Sequence, residues 1–267
     1  MRRIASRQNP IVARYRLAAR GDSDGVMLLD GVHLVADALA AGVTIREAAA
    51  AIDSEGDSAA YALARRLEQS GIETVEVTAP VLSALSPVRS PSPIVALAAR
   101  PEATRAALAS ANALVVVVVD IQDPGNVGAI VRVAEAGGAA GVIVAGASAD
   151  PFGWKALRGA MGSAFRLPIV IDNGDDLIAS LRSARRRIVA TSPRDGRSIF
   201  DVDLTGPAVL LIGGEGAGLP ASMLAAADQR ITIPMEAPVE SLNAAVTAAI
   251  VIYEAKRQRM ATPATRA

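Results

Sequence analysis

Ala113-Leu114-Val115-Val116-Val117-Val118-Val119-Asp120, followed six residues later by Asn126-Val127-Gly128-Ala129-Ile130-Val131-Arg132-Val133-Ala134, is the stretch that decides the fold. The first run holds five successive valines, Val115–Val119, β-branched and apolar without the alternation of a half-wetted strand. It therefore reads as a strand buried on both faces. It is far too short for a bilayer, which needs about 20 apolar residues. The second run spaces its apolar residues as a helix does. Strand followed by helix recurs downstream. Strands are expected at Val115–Asp120, Gly141–Ala145, Leu167–Ile171, Ile188–Thr191, Val209–Ile212 and Ile231–Ile233. Helices are expected at Asn126–Ala136, Lys155–Met161, 175–185, Ala221–Ala227 and Leu242–Lys256. That order is the signature of an α/β domain with a parallel sheet covered on both sides.

Upstream, the chain alternates shorter pieces. A helix follows Asp30-Gly31 as far as Ala41, and a strand lies near Ile45, Ala48 and Ala49. A helix then spans Ala59–Gln69, with strands at Glu73–Val77 and Ile94–Ala98. This is a smaller α/β sandwich over residues 1–100, joined by a linker at 101–112 to the domain at 113–267. The length of 267 residues accommodates two domains. A hydrophobic fraction of 51% with only 3% aromatic residues predicts cores of Val, Leu, Ile and Ala.

The absence of cysteine excludes disulfides, thiolate metal sites and a cysteine nucleophile. The single histidine, His33, sits at a helix start and reads as structural, so no metal is expected. Neither a membrane span nor a secretory h-region is read in the sequence; an Arg-rich, acid-poor start leaves an organellar transit peptide as the competing reading, and the expected location is most simply the cytoplasm. Basic and acidic residues balance at 27 each, so no global field draws in a polyanion. Their distribution is uneven. Arg2, Arg3, Arg7, Arg14, Arg16 and Arg20 precede the first acid, and Arg182, Arg185, Arg186 and Arg187 form a second cluster. Arginine's planar fork suits phosphate, although either cluster also reads as a solvated helix face.

Three loops at strand ends carry the candidate chemistry. Asn126 falls where a helix N-cap belongs, and Arg132 interrupts an aliphatic helix face. An ion pair of Arg132 with Glu135 or Asp120 is the plain structural alternative to a functional role. Gly213-Gly214-Glu215-Gly216-Ala217-Gly218 follows an aliphatic strand. Its spacing is not G-x-G-x-x-G, and it lies in the last third of the chain, which argues against a dinucleotide site. Glu215 in that loop suits a cationic or neutral ligand better than a pyrophosphate. In Ile233-Pro234-Met235 through Glu240-Ser241-Leu242-Asn243, Ser241 is expected to cap the last helix and Asn243 to sit in its first turn.

Taken together, Asn126-Val127-Gly128-Ala129-Ile130-Val131-Arg132, Ile212 through Leu219, and Ile233 through Ala245 resemble the three ordered motifs of the SpoU (TrmH-like) branch of the SPOUT RNA ribose 2'-O-methyltransferases. Arg158-Gly159-Ala160-Met161-Gly162-Ser163 is similar to a further segment of that family. Ile4 through Pro10 and Leu29 through Val35 resemble its N-terminal substrate-binding domain of L30e-like fold, with a departure at Ser90-Pro91-Ser92-Pro93. The resemblance implies a trefoil knot in the second domain and S-adenosylmethionine as cofactor, contacted by Gly213, Ile233, Leu242 and Thr191. It also implies a homodimer acting on RNA, most simply large-subunit ribosomal RNA, with transfer RNA and a ribosome-protecting resistance methylation as alternatives. Arg132 matches the family's catalytic arginine. Because a guanidinium has no free lone pair to accept a proton, the expected role is to hold phosphate and stabilise developing alkoxide charge. Asn126, Glu215, Ser241 and Asn243 are expected to position it and the ribose. Arg7, Arg14 and Arg158 are expected to grip RNA. A non-catalytic RNA-binding protein of the same fold is the competing reading.

Overall fold

The computed structural model describes residues 1–51, 59–108, 114–174, 176–183 and 185–261. The chain divides into two compact units. One comprises Met1–Pro101 with Phe152–Phe165, and the other Glu102–Pro151 with Arg166–Ala267.

The first unit runs β1 (Arg2–Ile4), α1 (Pro10–Arg20), β2 (Val26–Asp30), α2 (Val32–Ala40), β3 (Ile45–Ala50), α3 (Ala59–Gln69), β4 (Glu73–Val77), α4 (Ala79–Leu85) and β5 (Ile94–Ala99). Its sheet has the order β1-β4-β3-β5-β2, with β5 antiparallel to both of its neighbours. Helix α1 shows how local sequence sets an element. Asn9 caps it by accepting from the Ile11 N–H at 3.1 Å, Pro10 pre-sets the first turn, and Gly21 ends it at φ 82°. Ile11, Val12, Tyr15 and Ala18 recur at helical spacing and enter the core with Val81, Leu82 and Leu85 of α4.

The second unit contains β6 (Leu114–Val119), α5 (Pro124–Gly137), β7 (Gly141–Ala145), β8 (Ile169–Ile171), α8 (Leu177–Ser183), β9 (Arg187–Thr191), β10 (Arg197–Ser198), β11 (Ala208–Gly213), α9 (Ala221–Ala226), β12 (Gln229–Thr232) and α10 (Ala244–Ala261). Between β7 and β8 lie α6 (Trp154–Ala160), which groups with the first unit, and the short α7 (Ser163–Arg166). The sheet is seven-stranded, in the order β10-β12-β9-β11-β6-β7-β8, and every pairing is parallel. The α/β parallel-sheet expectation holds. All five valines of β6 are buried. Val115, Val117 and Val119 share a core with Leu177 and Leu181 of α8. Val116 and Val118 face the opposite side and are equally buried. Each such side chain contributes on the order of 1.5–3 kcal/mol of burial free energy.

The linker expected at 101–112 lies partly outside the described residues, as does the start of the helix expected from residue 175. From Glu102 on, the described part of that linker belongs to the second unit: Arg105–Leu108 forms a 3₁₀ turn whose Leu108 is buried in the sheet core. Arg105 donates to Asp172 and Asp176, and its guanidinium holds both carboxyls below their usual range. The last helix starts at Ala244, two residues later than expected, and runs to Ala261. No helix among the described residues is long and apolar enough to cross a membrane.

Candidate active site

The site is built on three loops at the carboxyl ends of β6, β11 and β12. Strand β6 is followed by Asp120, a non-glycine residue at φ 57° whose Oδ1 accepts from the Ala147 N–H at 2.7 Å. Asp123 then caps α5, its Oδ1 accepting from the Asn126 N–H at 2.9 Å, and Pro124 occupies the first helical position. Asn126 is therefore not the cap. It lies in the first turn of α5, and its side chain is free to reach across to another loop.

The glycine loop passes close to the end of β6. A Cβ at Gly214 would collide with the Asp120 carbonyl, and one at Gly213 would collide with the backbone of Gly218 and Leu219. The loop folds back on itself through the Gly218 N–H to the Gly214 carbonyl at 3.2 Å. Those glycines are thus accounted for by close backbone approach rather than by a phosphate cradle. Glu215 sits at the tip.

Asn243 caps α10, with Oδ1 accepting from the N–H groups of Ala245 at 2.9 Å and Val246 at 3.3 Å. This corrects the expectation that Ser241 caps the helix, because the helix begins two residues further along. Ser241 is left exposed in the loop, and its hydroxyl has no partner among the described residues. Capping fixes the Asn243 rotamer and aims its amide the other way. Nδ2 donates to Glu215 Oε1 at 2.9 Å and to Asn126 Oδ1 at 3.1 Å, while Asn126 Nδ2 donates to the same Glu215 oxygen at 2.6 Å. One carboxylate oxygen thus joins the three loops. Its partner Oε2 has no bond among the described residues.

Beside this cluster lies a cavity of about 560 Å³. Thr191, Gly213, Ile233 and Leu242 all line it, together with Glu215, Ser241 and Asn243. The Thr191 hydroxyl is spent on the Leu211 carbonyl at 3.1 Å, which leaves backbone and aliphatic surface as what that residue offers a ligand. The N–H groups of Ile233 and Leu242 have no partner among the described residues.

Arg132 lies on α5 but not in the cavity wall. It is exposed and unpartnered among the described residues. The structural alternative of an ion pair is not what forms. Glu135 takes a bidentate pair from Arg166 at 2.7 and 2.8 Å, and Asp120 is bound to Ala147.

The arginines expected to meet RNA divide. Arg7 and Arg158 are exposed and unpartnered among the described residues. Arg14 forms a two-pronged pair with Glu47, at 3.1 and 2.5 Å. In the second cluster Arg182, Arg186 and Arg187 donate to the carbonyls of Ala226, Leu108 and Asp203, so they tie loops together. His33 is exposed, and no group of His, Cys, Asp or Glu among the described residues is arranged to hold a metal. Asp123 escaped the sequence reading, although Asp before Pro at a helix start is a capping signal.

The chain is similar in sequence and fold to known proteins. A solved structure of an rRNA methyltransferase from Sinorhizobium meliloti with AdoMet bound superposes with a TM-score of 0.86 at 30% identity, covering 96% of this chain and 97% of that one. The SpoU methyltransferase AviRb from Streptomyces viridochromogenes, in complex with AdoMet, gives 0.82 at 30% identity over 95% and 99% of the two chains. The 23S rRNA (guanosine(2553)-2'-O)-methyltransferase RlmP of Bacillus subtilis is 30% identical over 85% of this chain and 86% of its own. The SpoU rRNA methylase family model matches residues 113–253, more than half of the sequence, and the chain belongs to that family.

Proposed function

We propose that this protein transfers the methyl group of S-adenosylmethionine to a ribose 2'-hydroxyl of RNA, with large-subunit ribosomal RNA as the substrate class. The observation that carries the reading is the convergence of Asn126, Glu215 and Asn243 at a cavity lined by all four residues that match the family's cofactor contacts.

The residues present fit the cofactor. The cavity falls within the range of about 300–1,000 Å³ typical of small-molecule sites. Aliphatic walls and the unpaired N–H groups of Ile233 and Leu242 suit a purine read by backbone, and Glu215 in the cavity wall would offer negative charge to a sulfonium. When bound, S-adenosylmethionine supplies an activated methyl group, so the protein's tasks are alignment and a more nucleophilic hydroxyl. Two groups of the cluster remain open to the ribose, Ser241 Oγ and Glu215 Oε2, and the carboxylate oxygen takes the 2'-hydroxyl proton as the methyl group is transferred. Arg132, charged and unpaired, holds an RNA phosphate and stabilises the alkoxide as it develops.

Because Arg132 does not line its own chain's cavity, the complete site in this proposal is shared within a homodimer. Supporting this, α10 carries a second apolar stripe opposite its buried one. Val246, Tyr253 and Met260 recur every seven residues and are 46%, 49% and 78% exposed. The knotted path, the RNA grip by Arg7 and Arg158, and a cytoplasmic location complete the proposal.

The test is transfer of labelled methyl from S-adenosylmethionine to ribosomal RNA by the purified protein, with wild type, Arg132→Ala, Glu215→Ala and a mixture of the two variants. The expected result is activity in wild type, little in either variant and partial recovery on mixing. Wild-type binding of S-adenosylmethionine without transfer to any RNA would favour the non-catalytic reading.

A further inference from the structure

Arg194, in the turn after β9, and Glu240, in the loop before Ser241, form an ion pair of 2.6 Å. Their side chains are 67% and 74% exposed, and pairs this wet contribute little to stability. Their position is more informative than their strength. Ser192 and Pro193 on one side, and Ser241 and Leu242 on the other, line the cofactor-sized cavity. Arg194 and Glu240 themselves line an adjoining hollow of about 510 Å³ that shares Pro193, Ile233 and Met235 with it. Among the described residues lining the two compartments, Arg194 is the one cation, and Glu215 and Glu240 are the anions. A cation and an anion held side by side are the electrostatic counterpart of an α-amino-acid zwitterion. A guanidinium takes a carboxylate through two parallel N–H donors, and a carboxylate takes an ammonium.

We propose that Arg194 and Glu240 clamp the amino-acid end of S-adenosylmethionine, Arg194 holding its α-carboxylate and Glu240 its α-ammonium. This rests on the cofactor assignment above. The direct Arg194–Glu240 pair is then the resting arrangement, which the zwitterion replaces with two ligand contacts, so neither charge is left without a partner. Glu240 precedes Ser241 in sequence, and closing the clamp sets the loop that carries Ser241 and Asn243.

Calorimetric titration of the full-length protein tests the clamp with three ligands: S-adenosylmethionine, S-adenosylhomocysteine, and 5'-deoxy-5'-methylthioadenosine, which keeps the adenosyl thioether but lacks the amino-acid end. Arg194→Ala and Glu240→Gln should each weaken the first two about tenfold and leave the third within about twofold. Melting curves matching wild type establish that both variants are folded. Equal weakening of all three ligands would assign the pair a structural role and overturn the clamp, and so would unchanged S-adenosylhomocysteine affinity. If wild type bound none of the three, the cofactor assignment would fall, and the clamp with it.

Discussion

Asn243→Asp separates two jobs that one side chain performs. The Asn243 oxygen caps α10, and its amide donates to Glu215 at 2.9 Å and Asn126 at 3.1 Å. Aspartate caps as well as asparagine, and a negative charge at a helix N-terminus adds roughly 0.3–1 kcal/mol. It also sets a carboxylate oxygen where a donor stood, against Glu215 Oε1. Two unit charges about 3 Å apart repel by roughly 1.4 kcal/mol in a water-like dielectric, the appropriate limit for side chains this exposed. The repulsion exceeds the dipole gain by about 0.4–1.1 kcal/mol, and the bonds to Glu215 and Asn126 are lost as well, so the melting temperature should fall by about 2–4 °C with the cap intact. Asn243→Ala forfeits the cap, about 1 kcal/mol, together with the same bonds but adds no repulsion, and should also melt about 2–4 °C lower. Both variants sever Asn243 from Glu215, so both should lose at least about tenfold in turnover at saturating cofactor and RNA, a loss of about 1.4 kcal/mol in transition-state stabilisation. Thermal melts paired with initial methyl-transfer rates measure this. An aspartate variant that turned over at the wild-type rate would refute the view that the three-loop cluster matters to the reaction.

Asp123→Ala should cost about 1 kcal/mol through loss of the α5 cap and lower turnover by releasing the turn that presents Asn126, and Asp123→Ser should restore both. Glu254, only 8% exposed and bonded by Arg257 and Gln258, has its carboxyl drawn down to about 2, chiefly by the Arg257 hydrogen bond. A depressed carboxyl stabilises the fold fully above about pH 4.5 and loses that contribution as pH falls toward 2. Urea midpoints of Glu254→Gln should therefore fall less steeply across that window than those of wild type. Arg14→Ala leaves the mostly buried Glu47 carboxylate without its pair and should lower stability. Arg7→Ala should leave the melting temperature unchanged while weakening RNA binding and reducing its salt slope by about 1. Equal effects of the two arginine substitutions on both readouts would contradict the division drawn between them.

The parallel sheet was legible because strands buried on both faces must be aliphatic at consecutive positions, and Val115 to Val119 and Val209 to Ile212 are. Strands β1 and β10 were not, because a three-residue strand with two exposed arginines and a two-residue strand leave no pattern to read. Helix α1 was hidden differently: Arg14, Arg16 and Arg20 drew the reading toward charge, although Ile11, Val12, Tyr15 and Ala18 carry a clear helical period. The grouping of Phe152–Phe165 with the first unit depends on tertiary contacts that no local pattern encodes. That Asn126, Glu215 and Asn243 belong together was readable, and their geometry was not. Capping rules apply equally to Asp123 and Asn126, and to Ser241 and Asn243. Only the helix starts at Pro124 and Ala244 decide which residue caps and which is free to bridge. The arginines were the least legible, since a guanidinium bonded to a carbonyl and one left unpaired are the same letter.

The most direct test of the central claim is a nucleotide-resolution map of ribose methylation in total RNA from cells with this gene, without it, and with it restored as wild type or as Arg132→Ala. The account predicts one 2'-O-methyl group in large-subunit ribosomal RNA that disappears with the gene, returns with wild type and stays absent with Arg132→Ala. Identical maps in all four, or full methylation restored by Arg132→Ala, would contradict it.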